Sequence, residues 1–138
     1  MTKSISTTLI AALALVIGYG AGHMNAKTSR VYELRTYTAA PGKLEALHAR
    51  FRNHTLKLFE KHGMKNIAYW APSDDPLKSN TLIYVVAHES REAAKKSWDA
   101  FRVDPDWIKA RDASEVNGKL TAKVESVYME ATDYSPMK

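Results

Sequence analysis

The sequence predicts an α+β domain in the order β-α-β-β-α-β, a four-stranded antiparallel sheet carrying two helices on one face. Three observations predict it. Residue spacing switches between a period of two and a period near 3.6 along residues 30–136. Pro and Gly punctuate the switches, and no repeat, low-complexity tract or linker interrupts them.

Arg30 to Ala39 (RVYELRTYTA) is rich in strand formers and is closed by Pro41-Gly42. Lys43 to His62 has Leu44, Leu47, Phe51 and Leu58 at helical spacing with Phe59 alongside, and Gly63 stands where a helix cap belongs. Met64 to Ala71 predicts the second strand, Pro72 to Asn80 a loop, and Thr81 to His88 (TLIYVVAH) the strongest strand. Ser90 is an N-cap for a helix whose apolar face is Ala94, Trp98 and Phe101. Asp104-Pro105 breaks that helix because proline has no amide donor. A second helical piece runs from Asp106 to Ser114, Asn117-Gly118 ends it, and Val124 to Thr132 is the last strand. This order is that of a ferredoxin-like split β-α-β unit.

Strand residues alternate between faces. The simplest assignment sends Leu34, Ile83, Val85, Val127 and Met129 under the helices. The uncovered face then holds Glu33, Arg35 and Tyr37, then Leu82, Tyr84, Val86 and His88, with Trp70 and Tyr128. Such a face would leave a large apolar patch on a monomer. A homodimer pairing two sheets, a dimeric α+β barrel, would cover it. The space between would be a ligand site or a plain Tyr- and Trp-rich interface.

Residues 1–26 read as an address. Lys3 is the only charge before Lys27, and Leu9 to Gly22 (LIAALALVIGYGAG) is short for a membrane span of ~20 apolar residues. A basic start, a short apolar centre and small residues match a secretory signal cleaved after Gly22 or Ala26, with an uncleaved N-terminal anchor as the alternative. The protein is therefore expected to be exported, periplasmic or extracellular, and to meet a membrane only if that segment stays attached. The domain proper is residues 30–136.

The 138 residues contain no cysteine, which excludes disulfides, thiolate metal sites and a Cys nucleophile. No metal-ligand spacing, phosphate loop or dinucleotide fingerprint occurs, so no metal or cofactor is expected. A formal charge of +5, scattered over both helices, does not make a nucleic-acid surface.

His54, on the apolar side of the first helix by its spacing from Leu47 and Leu58, is the candidate general base. Glu33 and Arg35, two apart on one face, are a substrate-orienting pair or a buried structural one. Tyr37 is a phenolic donor. Trp70, Tyr84, His88 and Tyr128 are candidate ligand contacts, although as core residues they need no chemical role.

The stretches VYELRTYTAAPGKLEALHARFRNHTLKLFEKHGMKNIAYW (Val31 to Trp70) and AFRVDPDWIKARDASEVNG (Ala100 to Gly118) resemble the NIPSNAP family. The resemblance covers roughly residues 30–136. It implies a ferredoxin-like domain dimerising sheet to sheet, with an activity that is not settled. Related families of the dimeric α+β barrel superfamily include haem-degrading and polyketide-modifying monooxygenases. Binding of a small, partly aromatic or acyl ligand, with cofactor-independent acid–base chemistry by His54, Tyr37, Glu33 and Arg35, is one expectation. A non-catalytic interaction protein is the other.

Overall fold

A computed structural model describes residues 30–137. The expected signal or anchor over residues 1–26 lies outside the described residues. The elements are β1 (Val31–Ala39), α1 (Leu44–Arg50), a π turn (Phe51–Thr55), α2 (Leu56–Lys61), β2 (Lys65–Trp70), β3 (Thr81–His88), α3 (Arg91–Val103), α4 (Pro105–Ser114) and β4 (Thr121–Glu130). The strands form one antiparallel sheet in the order β2-β3-β1-β4. The expected α+β architecture and β-α-β-β-α-β element order are therefore present.

Punctuation falls where the residues dictate. Gly63 leaves α2 at φ +76°, and the Met64 amide bonds back to the Phe59 carbonyl. Ser90 caps α3 by accepting from the Ala93 amide. Asp104 ends α3, accepts from the Asp106 amide and starts α4, with Pro105 as its first residue. Lys61 and His62 reach the same Asp104 carboxylate at 2.7 and 2.6 Å, tying the end of α2 to the α3–α4 corner.

The helices cover the opposite sheet face from the one expected. Tyr37, Leu82, Tyr84 and Val86 pack beneath Leu47, Phe51, Phe59, Trp98 and Phe101. The uncovered face carries Tyr32, Leu34, Ile67, Val85 and Ala87, with Val127 and Met129 on β4. The physical reason is polar satisfaction. Glu33 and His88 are ionisable groups that need buried donors, and α3 supplies one through Trp98. The other face is mainly aliphatic, carries no buried carboxylate or imidazole, and is left bare. The C-terminal tail shelters part of it, where Ala131 packs on the Tyr32–Val85 cluster. Trp70, Val127 and Met129 stay open, at 52%, 56% and 36% exposure.

The π turn also changes the helix register. A regular helix through Leu47 and Phe51 would bring His54 inward. The wider turn inserts one residue, so that Thr55 is buried and His54 is exposed. Leu58 and Phe59 return to the core on the far side of the turn.

Candidate functional site

β1 places Glu33 beneath α3 at the centre of a buried polar cluster. One carboxylate oxygen, Oε1, accepts from Arg35 Nη1 and Ser126 Oγ, each at 2.6 Å. The other, Oε2, accepts from Trp98 Nε1 at 2.6 Å and lies 2.9 Å from His88 Nε2. Burial alone would raise the Glu33 carboxyl. The hydrogen bonds from His88, Ser126, Trp98 and Arg35 outweigh it and hold the pKa at about 2. Glu33 is thus ionised and saturated. As a proton acceptor it is poor; as an anchor it fixes four side chains. Because its oxygens only accept, His88 carries its proton on Nε2.

Arg35 connects this cluster to the rest of the sheet. Its guanidinium carbon lies 4.3 Å from the Trp98 ring centre and 5.6 Å from that of Tyr37. Burial opposes its charge, but Tyr37, Tyr84 and Glu33 hold it above its ordinary range. Next along β1, Tyr37 accepts a hydrogen bond from the Tyr84 hydroxyl at 3.1 Å. Burial pushes the Tyr84 phenol well up, so Tyr84 keeps its proton.

Tyr37 also forms part of the wall of a cavity of about 400 Å³ between the sheet and the helices. Phe51, Phe59, Phe101 and Trp107 supply the rest of its aromatic wall. Arg50, Arg111, Lys119 and Glu115 supply its charges. Arg50 is 5% exposed; its Nη1 donates to Glu115 Oε1 at 2.9 Å and Ser114 Oγ at 3.3 Å, and its guanidinium lies 5.1 Å from the Trp107 ring centre.

The structure brings together Glu33, Arg35, Tyr37, Tyr84 and His88, with Tyr128 opposite Glu33 in the β1–β4 register. It does not bring His54 to them. His54 lies with Asn53, Lys57 and Asp106 in a separate cleft between the π turn and α4, because the π turn rotated it outward. It also separates Trp70, which pairs with Ile83 and lies on the uncovered face. Tyr128 lies beneath the Arg91 guanidinium, 3.3 Å from its ring centre, towards an outer cleft with Lys95 and Arg102. Of the residues brought together, Tyr37 borders the cavity between the sheet and the helices of the chain.

Sequence reasoning missed Arg50, Trp107 and Ser126. Arg50 had a readable signal: it follows Leu47 by three and precedes Phe51, which puts a cation on an apolar helix stripe. Trp98 was placed in the core but not given a partner, although a buried indole N–H needs one. Ser126 had no signal beyond its strand parity.

A family model described as NIPSNAP matches residues 32–136. Among curated proteins, none matches the sequence. Solved structures of similar fold include a NIPSNAP family protein of unknown function from Agrobacterium tumefaciens, with 19% identity and a TM-score of 0.69 over 80% of this chain and 96% of that one. An uncharacterized NIPSNAP-like domain protein from Burkholderia xenovorans gives 16% and 0.68 over 79% and 90%. A Streptomyces coelicolor monooxygenase in complex with nanaomycin D gives 16% and 0.56 over 83% and 97%.

Proposed function

The chain belongs to the NIPSNAP family, and from that premise we propose that it holds a small, partly aromatic or acyl ligand in the cavity between its sheet and its helices. The observation that carries this reading is Tyr37. Its hydroxyl accepts a hydrogen bond from Tyr84, which leaves its own O–H to bond a ligand carbonyl or enol at the cavity wall. Five aromatic rings around about 400 Å³ suit a ligand with a flat or acyl body.

The chemistry proposed is proton transfer or hydrogen bonding at Tyr37, with no cofactor. Arg35 and Glu33 are positioning groups in this scheme. Glu33 fixes Arg35, and Arg35 sets the field at the Tyr37 and Tyr84 hydroxyls. The Streptomyces monooxygenase, an enzyme of similar fold, supports catalysis on this scaffold by analogy of fold alone. A binding protein without turnover is the second reading, favoured by the complete saturation of Glu33 within one chain.

The bare aliphatic face supports assembly as a homodimer, with a second copy covering Leu34, Val127 and Met129. The apolar segment before residue 27 supports export.

Native mass spectrometry of protein purified from its own source tests the ligand reading. A retained small molecule, weakened or lost in Tyr37→Phe, is the expected result. A ligand-free chain whose stability is indifferent to every candidate compound removes it.

A further inference from the structure

We infer that the ligand of this cavity is an organic anion, a carboxylate on an aromatic or acyl body, whose charged end is received by Arg50. The inference rests on the cavity reading above and names its substrate class.

Three cations line the cavity, Arg50, Arg111 and Lys119, against one carboxylate, Glu115. An uncharged ligand would have no use for that surplus. Arg50 is the informative member. It is buried on the inner stripe of α1, where a leucine or phenylalanine would be the inexpensive choice. Its recorded partners, Glu115 and Ser114, are both reached by Nη1. Nε is buried without a partner, and among the described residues Nη2 has none either. A guanidinium presents five N–H donors in a planar fork suited to a carboxylate. Three of its five N–H donors, one on Nε and two on Nη2, are therefore unused by that ion pair, on a side chain that lines the cavity.

Glu115 does not exhaust the charge. Its Oε1 is shared between Arg50 and the Leu120 amide, which fixes the carboxylate to the chain that closes the cavity. Arg111 is engaged by Asp112 and approaches from the more exposed side. Lys119, on the exposed segment before β4, completes the basic rim. The aromatic wall, Phe51, Phe59, Phe101 and Trp107, lies beside these cations and accepts the body of the ligand. Trp107 serves both parts, because the Arg50 guanidinium stacks over it.

The test compares two probes of one shape, 2-naphthoate and 2-naphthamide, by calorimetry and by the Trp107 indole N–H resonance, which is assigned with Trp107→Phe. We expect 2-naphthoate to bind about tenfold tighter than the amide and to shift that resonance. Arg50→Gln should erase the preference while leaving the amide within about twofold, and Arg50→Lys should restore part of it. Lys119→Gln, at an exposed position, should reduce the preference about two- to threefold and serves if Arg50→Gln does not fold. Equal affinity for the two probes overturns the anion inference and leaves the cavity reading standing. Binding by neither, with the Trp107 signal unmoved at millimolar probe, overturns both.

Discussion

Trp98 Nε1 lies 2.6 Å from Glu33 Oε2, joining the middle of α3 to the first half of β1 across 65 positions of sequence. This bond states which sheet face the helices occupy. It also shows how a carboxylate can be nearly inaccessible and still ionised: His88, Ser126 and Arg35 complete its shell.

Removing the Glu33 charge should be costly. Glu33→Gln leaves the half-buried Arg35 without its counter-ion, at a cost of up to about 3–5 kcal/mol, the scale for breaking a buried pair. Urea unfolding should show that loss with an unchanged slope. A midpoint equal to the parent's would mean that Arg35 finds solvent or another anion.

Acid should act through the same residue. The folded-state pKa of Glu33 is depressed from 4.5 to about 2, so its contribution is present above pH ~4.5 and is lost as pH falls towards 2. Thermal melts over that range should fall for the parent and fall less for Glu33→Gln. Parallel curves would assign the acid sensitivity elsewhere, Asp104 being the next candidate because Lys61 and His62 hold its carboxyl low.

His54 and Tyr37 should separate cleanly. His54→Ala, at an exposed position, should change stability by no more than ~0.5 kcal/mol and leave ligand binding intact. Tyr37→Phe should keep the fold and weaken a carbonyl-bearing ligand about tenfold, through loss of one hydrogen bond. A binding defect in His54→Ala and none in Tyr37→Phe would move the site to the cleft beside α4.

The bare sheet face should govern association. Val127→Glu places a charge on a half-exposed position, so the subunit should fold as before while sedimentation moves from two copies to one. If parent and variant both sediment as single chains at micromolar concentration, the uncovered face is not covered by a twin.

Intact-mass measurement of the exported protein should show loss of about 22–26 residues, as the signal-peptide pattern predicts. Full-length protein held in the membrane fraction would instead favour the anchor.

The element order was legible because each element is set by local physics. Period two wrote β1 and β3, Gly63 and Pro105 wrote the helix ends, and the grouping of Glu33, Arg35, Tyr37, Tyr84 and His88 followed from strand parity alone. Parity says which residues share a face but not which face receives the helices. That was decided by contacts distant in sequence, above all Trp98 with Glu33, because a buried carboxylate must find donors and an aliphatic face need not. The helical position of His54 was decided in the same way. One extra residue in the Phe51–Thr55 turn let Thr55, Leu58 and Phe59 fill the core, at the cost of the regular spacing on which a one-dimensional reading depends.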